Sequence, residues 1–221
     1  MEHIVLENVS KKFTDRTIFD NVNLRVDKGG MVAIMGKSGV GKSTLLNIIA
    51  GMEKPSFGSY FFDGNSMTDM SINRLSETRK HRMGYISQHS PMIPRLTALE
   101  NIMVPLWYEK KEDHMNAVMD RVKALGELFG IRHILNEKIE KLSGGEIQRV
   151  GIIRSLVNEP DIIIADEPTG SLDNETELNV LSYLKSLKNI TIIIATHSDS
   201  VSLHCDEKYY MTMDGLKSVV V

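Results

Sequence analysis

The chain has 221 residues, 42% of them hydrophobic, with a formal net charge of −3, which is typical of one globular domain with a substantial core. The absence of a polybasic cluster argues against nucleic acid as a general partner. The single cysteine, Cys205, cannot form an internal disulfide and favours a reducing compartment. The first residues do not resemble a signal peptide, and the longest apolar runs are too short to cross a bilayer. We therefore expect a cytoplasmic protein, and any work at a membrane would need a span supplied by another chain.

Two β-rich segments open the sequence, at residues 4–6 and 22–26, and a turn at 27–30 precedes an apolar run at 31–35. Phe13 lies between the two segments. Its ring is a candidate for stacking on a nucleotide base, since stacking needs only a π-face. The alternative is a half-buried aromatic side chain at the end of a strand.

Residues 36–44 match the phosphate-binding pattern G-x-x-x-x-G-K-[ST], between the apolar run and an apolar-periodic stretch at 45–50. That context predicts a strand, a tight loop and a helix, whose N–H groups and helix dipole together hold phosphates. Lys42 is expected to reach the β- and γ-phosphates, Ser43 to bind Mg²⁺ and Thr44 to contact the α-phosphate. The alternative is a glycine-rich turn followed by a lysine. The predicted ATP-binding residues of this loop are Gly36, Lys37, Ser38, Gly39, Val40, Gly41, Lys42, Ser43 and Thr44.

The middle of the chain changes from strands to helices. Gly51 is expected to end the first helix, residues 58–64 to form a strand and turn, and residues 83–88 a buried strand after a polar stretch that reaches residue 80. Residues 97–128 are predicted to be helical, with one buried face containing Met115, Val118, Met119, Val122 and Leu125. We infer a helical insertion at roughly residues 89–158.

The insertion ends in a second glycine motif, Leu-Ser-Gly-Gly-Glu at residues 142–146, followed by an amphipathic stretch at 147–157. Ser143, Gly144 and Gly145 at a helix start form another anion-binding end, or simply a capped helix. One nucleotide needs one phosphate cradle. We therefore predict that this second cradle serves a nucleotide held by another copy of the chain, in a two-fold dimer.

Two apolar runs, at residues 162–165 and 190–195, end in polar groups and predict strands buried on both faces of a parallel sheet. At the end of the first run, Asp166 is expected to hold Mg²⁺ through a water and Glu167 to polarise the attacking water. After the second, His197 is expected to contact the γ-phosphate or that water. Asp173 is expected to cap the following helix and to make a contact across the dimer.

These motifs, in this order, resemble the ATP-binding subunit of an ABC transporter over essentially the whole chain. In family terms they are the Walker A loop, the Q-loop at Gln88, the signature motif, the Walker B strand, the D-loop at 171–173 and the switch histidine, with Phe13 as the A-loop aromatic. The resemblance implies a P-loop NTPase core with a mainly parallel sheet, an N-terminal antiparallel β subdomain and an inserted α-helical subdomain.

The resemblance also implies a mechanism. Two ATP molecules lie between two subunits, each bound by the Walker A loop of one copy and by Ser143 and Gly145 of the other. Gln88 senses Mg²⁺ and the γ-phosphate and links the helical subdomain to an integral membrane permease. The protein is then peripheral on the inner face of the cell membrane, and ATP-driven closure of the dimer powers the permease.

Residues 94–106 and 165–170 are similar to the branch that contains lipoprotein-releasing, macrolide-exporting, antimicrobial-peptide-resistance and cell-division ATPases. This similarity implies export or mechanotransmission of peptides, lipoproteins or drugs. Ile147, Ile139 and the stretch at 151–155 depart from the usual pattern of that branch. The alternatives are the ATPase of an ABC importer and a soluble ABC ATPase without a transporter. A small-molecule kinase would not explain the signature motif.

Overall fold

The computed structural model describes residues 1–14, 16–107 and 115–219, which form ten strands and seven α-helices. The strands are β1 (Glu2–Phe13), β2 (Arg16–Asp27), β3 (Met31–Met35), β4 (Phe57–Phe62), β5 (Asn65–Ser66), β6 (Met83–Ile86), β7 (Ile162–Asp166), β8 (Thr191–Ala195), β9 (Glu207–Thr212) and β10 (Gly215–Ser218). The helices are α1 (Lys42–Ile49), α2 (Ile72–Arg82), α3 (Ala98–Met103), α4 (Met115–Leu128), α5 (Gly144–Leu156), α6 (Asn174–Ser186) and α7 (Asp199–Leu203).

The larger sheet has six strands in the order β10-β9-β3-β8-β7-β6. Neighbours from β9 to β6 are parallel, and β10 pairs antiparallel with β9 at one edge. Strands β7 and β8 are buried along their whole length, as their apolar runs predicted. All the carboxyl ends of the parallel strands therefore lie at one edge of this sheet.

The smaller sheet is antiparallel, in the order β2-β1-β4-β5. Its first two strands have twelve residues each, longer than the β-rich segments seen in the sequence. Its apolar face packs on α1 and on the larger sheet in one core cluster that includes Phe19, Tyr60 and Phe62. Together with the helices α3 to α5 inserted between β6 and β7, this sheet confirms the predicted fold class.

The helices differ from the prediction in two places. Helix α2 lies in the stretch read as merely polar, and only Leu75 of its eleven residues is buried, so it has no apolar period to detect. On α4, Val122 and Leu125 are buried as predicted. Met115, at the start of the helix, is 43% exposed, because only the second half of α4 packs in the core. Part of the predicted helical stretch, residues 108–114, lies outside the described residues.

A buried histidine joins the two sheets. His3 on β1 is 1% exposed, and its Nδ1 lies 2.6 Å from Oγ1 of Thr191 at the start of β8. The Thr191 hydroxyl also accepts a hydrogen bond of 3.0 Å from the N–H of Gly29. Within the described part of the chain, His3 Nε2 has no hydrogen-bond partner. Burial lowers the pKa of His3, since a charged ring here would lose its hydration.

We expect the free energy of unfolding to decrease on acidification because of His3. The ring is neutral in the folded protein, whereas the unfolded chain takes up a proton at the ordinary histidine pKa of 6.5. The contribution of the neutral His3 ring to the free energy of unfolding is therefore complete above pH 6.5. It is lost as the pH falls from 6.5 toward the lower pKa of His3 in the folded state. Urea unfolding at about pH 7.5 and about pH 5.5 measures the loss.

The variant His3→Gln should show a smaller difference between the two pH values than the wild type. The exposed His133 provides the matched control, and His133→Gln should leave the difference unchanged. Equal acid sensitivity of His3→Gln and the wild type would show that another group is responsible.

Candidate functional site

The glycine-rich loop at residues 36–44 connects β3 to α1 and curves around the N-terminus of that helix. Gly41 is the N-cap residue of α1, and within the described chain no side chain caps this end. The free N–H groups of the first helical turn thus point into the loop. The Lys42 ammonium donates to the carbonyl oxygens of Gly36 at 2.8 Å and Lys37 at 3.3 Å, which holds it over the same space.

Two of these glycines are required by their surroundings. Gly41 has a φ of +108°, and a Cβ there would lie 2.8 Å from Cγ2 of Ile18. A Cβ on Gly36 would lie 2.8 Å from the carbonyl oxygen of Met211 on β9. The loop therefore keeps its shape because strands from both sheets press against its outer side.

The acidic residues predicted for catalysis lie opposite this loop. Asp166 ends β7 and is 8% exposed, and Glu167 follows it with a φ of +47°, in the left-handed region. The Glu167 N–H donates to the carbonyl of Ala195 at 2.9 Å, which attaches the residue to the end of β8. Non-glycine residues adopt this conformation only where their surroundings hold them.

The carboxylate of Glu167 is held at both oxygens. His197 Nδ1 lies 2.7 Å from Oε1, and the Thr196 hydroxyl donates to Oε2 at 3.0 Å. Thr196 is buried, whereas the side chain of His197 is 77% exposed. Each carboxylate oxygen keeps a second lone pair, so the group can still accept a hydrogen bond from a water molecule. Thr196 was not predicted as a site residue.

These groups surround one cavity of about 710 Å³, a volume suited to a nucleotide. Most of the predicted residues line it: Gly36, Lys37, Ser38, Gly39, Gly41, Lys42, Ser43, Thr44, Gln88, Asp166, Glu167 and His197. Arg16 and Ile18 also line it and were missed, because they reach it only through the pairing of β1 with β2.

Six predicted residues lie outside this lining: Phe13, Val40, Ser143, Gly144, Gly145 and Asp173. Val40 packs against the apolar core. The Phe13 ring is 46% exposed at the end of β1, with the ammonium of Lys11 4.7 Å from its centroid. Its stacking on a base therefore stays a prediction.

The signature motif forms the N-terminus of α5. Ser143 is the N-cap residue, and its side chain accepts from the Glu146 N–H at 3.4 Å. In return the Glu146 carboxylate accepts from the Ser143 N–H at 2.8 Å and from its hydroxyl at 2.7 Å. These bonds lower the pKa of Glu146. The rest of α5 is less amphipathic than predicted, because residues such as Ile152 and Ile153 are fully buried.

Asp173 is the N-cap residue of α6, as predicted. Its Oδ1 accepts from the Thr176 N–H at 3.0 Å and its Oδ2 from the Thr176 hydroxyl at 2.8 Å. These hydrogen bonds lower the pKa of the Asp173 carboxyl, because they stabilise its ionised form. Asp173, Ser143 and Gly144 are all exposed to solvent.

The segment after Gln88 packs closely on α5. A Cβ on Gly151 would lie 2.8 Å from Oγ and 3.2 Å from Cβ of Ser90. Ser90 is buried, has a φ of +38° and donates its hydroxyl to the carbonyl of Ser87 at 3.1 Å. Glycine at 151, which departs from the expected alanine-rich pattern, thus allows the Gln88 segment to lie against the helix.

Two kinds of feature are absent from residues 1–14, 16–107 and 115–219. None of the helices in those residues combines the length and apolar character needed to cross a bilayer. The same residues contain no group of three or more histidine, cysteine, aspartate or glutamate side chains placed to hold a metal ion.

Comparison with known proteins identifies the family. A sequence profile of the ABC transporter family matches residues 19–170. The chain is 37% identical over 230 residues to the lipoprotein-releasing system ATP-binding protein LolD of Francisella tularensis subsp. holarctica, covering 100% of this chain and 99% of LolD. It is 39% identical over 209 residues to the macrolide export ATP-binding/permease protein MacB of Haemophilus ducreyi, covering 92% of this chain and 30% of MacB.

Solved structures agree with the sequence relatives. A dimeric ATP-binding cassette in a post-hydrolysis state, bound to ADP and Pi, superposes with a TM-score of 0.90 at 32% identity and covers 99% of both chains. A nucleotide-free cassette from an ABC transporter gives a TM-score of 0.80 at 26% identity, covering 98% of this chain and 90% of that one.

The chain belongs to the ATP-binding cassettes of ABC transporters. It binds ATP and is an ATPase, as the sequence motifs indicated, and its relatives include members of the branch that residues 94–106 resembled.

We expect Gly151→Ala to destabilise the protein. The added methyl group would force Ser90 away from α5 at a cost of about 1–3 kcal/mol, against a gain in helix propensity of about 1 kcal/mol. Adding Ser90→Gly should restore stability, since glycine removes the opposing atoms and suits the positive φ. Urea unfolding of Gly151→Ala, of Ser90→Gly and of the double variant measures the effect.

The matched control is Gly144→Ala in the same helix, where an added Cβ meets nothing within 4 Å. A Gly151→Ala variant as stable as this control, or a Ser90→Gly effect that is merely additive, would contradict the proposed close contact.

Proposed function

We propose that this chain is the ATP-hydrolysing subunit of a membrane assembly. In this assembly a homodimer of cassettes drives a separate permease, which serves export or mechanotransmission of peptides, lipoproteins or drugs. The observation that carries the proposal is the likeness to LolD along the whole length of both chains. MacB, whose name includes both an ATP-binding part and a permease, supports the same branch.

The dimer is supported by the distribution of the predicted residues. Ser143, Gly144 and Asp173 lie on the exposed surface and outside the cavity, where a second copy could place its own nucleotide. Gly145 is packed close to the carbonyl oxygen of Ser171, which keeps the helix end next to the D-loop. The similar structure bound to ADP and Pi is itself dimeric.

The oxygen donors on the cavity wall fit Mg²⁺. The Ser43 hydroxyl, the Gln88 amide and the Asp166 carboxylate all line it, and Mg²⁺ bound with phosphates needs only one or two carboxylates from the protein. When bound, the ion neutralises charge that develops on the phosphates.

In this proposal each residue of the cavity has a definite part in hydrolysis. The free N–H groups of α1 bind the phosphates, and Lys42 exchanges its two carbonyl partners for β- and γ-phosphate oxygens. Glu167 accepts a hydrogen bond from the attacking water and orients it toward the γ-phosphorus. Thr196 and His197 fix the carboxylate, and the exposed His197 ring can turn toward the γ-phosphate. Phe13 is proposed to cover the base.

A permease is proposed to bind in a groove beside β6, the strand that leads to Gln88. This groove, about 280 Å³ in volume, lies between α2 and β6 on one side and α5 and the turn after α3 on the other. Arg79, Lys80 and Arg154 line it. Arg154 donates to the carbonyl of Pro91 at 2.8 Å and has no carboxylate partner among the described residues. Burial lowers the pKa of Arg154. Three cations in one groove favour a partner segment with acidic side chains.

Substitutions at Glu167 and Lys42 separate hydrolysis from binding. Glu167→Gln should reduce kcat by at least about 100-fold, because the amide cannot accept the proton of the water, while ATP-dependent dimerisation persists or increases. Lys42→Ala should weaken ATP binding itself. Steady-state ATPase assays, nucleotide titration and size-exclusion chromatography with ATP measure these outcomes.

The surface variant Glu77→Gln on α2 is the control and should behave as the wild type. Near-normal turnover of Glu167→Gln would mean that another residue activates the water. A monomer under every nucleotide condition would refute the proposed dimer.

Affinity capture from detergent-solubilised membranes of the natural host tests the permease. We expect a polytopic membrane protein to be retained together with ATPase activity. Arg154→Glu should reduce its recovery by about tenfold or more, whereas Lys217→Glu, which makes the same charge change on β10, should not. Recovery of ribosomal or DNA-associated proteins alone would contradict the transporter function, and a permease with a binding-protein partner would indicate an importer.

A further inference from the structure

One buried side-chain amide on α5 contacts the main chain at Glu167 and Pro168. Gln148 lies five residues after the N-cap residue Ser143 and is 2% exposed. Its Nε2 donates to the carbonyl oxygen of Pro168 at 2.7 Å and to that of Glu167 at 3.2 Å. Gln148 therefore holds the main chain of the residue whose carboxylate faces the cavity.

The contact matters because the Glu167 backbone is strained. Its φ of +47° is unfavourable for a residue with a Cβ, and such a conformation persists only when its neighbours hold it. On one side the Glu167 N–H is bonded to Ala195 at the end of β8. On the other side the carbonyl accepts from Gln148 and, more weakly at 3.3 Å, from the N–H of Gly170.

We propose that Gln148 is a positioning residue for ATP hydrolysis. Its two hydrogen bonds keep Glu167 in the left-handed conformation, with the carboxylate between Thr196 and His197. Without the amide, the peptide between Glu167 and Pro168 rotates toward a relaxed conformation, and the carboxylate moves away from the place of the attacking water. Gln148 does not line the cavity, so its role does not include contact with the nucleotide.

The same helix joins the signature motif to the segment that contains Glu167. Its N-terminal end carries Ser143, Gly144 and Gly145, which are proposed to meet the nucleotide of the second copy, and Gln148 is the next buried polar residue. A small rotation of α5 on closure of the dimer is thus transmitted to the carbonyl of Glu167. This part of the proposal rests on the dimer proposed above.

The first test uses Gln148→Met, which keeps the length of the side chain and removes the donor. We expect kcat to fall by about 100-fold, the size of effect expected when a reacting group is misplaced by about 1 Å. The Kd for ATP, measured by nucleotide titration, should stay within about twofold of the wild type, because the phosphate loop is untouched. Ile152→Val, a buried packing change in the same helix, is the matched control and should keep both values.

A double-mutant cycle shows whether Gln148 acts through Glu167. In single-turnover assays, Gln148→Met should cause no further loss when Glu167 is already replaced by glutamine, since no catalytic carboxylate remains to be positioned. A residue that only stabilises the fold would lower the rate in both backgrounds and would weaken ATP binding too.

The isosteric Gln148→Glu variant gives a second readout if Gln148→Met does not fold. A carboxylate cannot donate to the two carbonyls, but a protonated carboxyl can. The kcat of this variant, relative to that of the wild type, should therefore rise as the pH is lowered, whereas the ratio for Ile152→Val should stay constant.

A wild-type kcat for Gln148→Met, a parallel loss of kcat and ATP affinity, or a pH-independent ratio for Gln148→Glu would overturn the inference. These failures are distinct from failure of the proposed function. If Glu167→Gln itself retains normal turnover, the catalytic assignment is wrong, whereas an inactive Glu167→Gln with an active Gln148→Met removes only the role of Gln148.

Discussion

The parallel register of β3, β8 and β7 determines where the predicted catalytic groups lie. Ile34 pairs with Ala195, and Ala195 pairs with Asp166. The pattern continues beyond the strands, because the Thr196 N–H donates to Ile34 and the Glu167 N–H to Ala195. A shift of one residue in either pair would turn a predicted catalytic side chain to the opposite face of the sheet. The alignment of three buried strands therefore brings together the phosphate loop, the two acidic residues and the histidine.

The sequence predicted those parts of the fold that leave a local pattern. Apolar runs predicted the buried strands, and the glycine motif predicted the phosphate loop. Helix α2 was missed because only Leu75 on it is buried. Thr196 and Gln148 were missed for a different reason: they contact Glu167 from 29 and 19 residues away, and no local spacing indicates that contact. Arg16 likewise reaches the cavity only through the pairing of β1 with β2.

The departures from the family pattern are changes of packing. Ile139 is buried, and Ile147 packs against the same core of the helical region. Gly151 allows the Gln88 segment to approach α5. None of the three lines the nucleotide cavity. These departures therefore affect how the helical region fits together, while the residues predicted for phosphate chemistry are unchanged.

The support beneath the phosphate loop comes from far along the chain. Strand β9 pairs with β3, and the Met211 carbonyl lies against Gly36. The Met213 carbonyl also accepts from the N–H of Asp20. During synthesis the ribosome releases residues 36–44 well before β9, so the loop emerges without its neighbouring strand. ATP stabilises the completed fold by mass action, whereas a nascent chain that lacks β9 presents the loop without the support of the Met211 carbonyl.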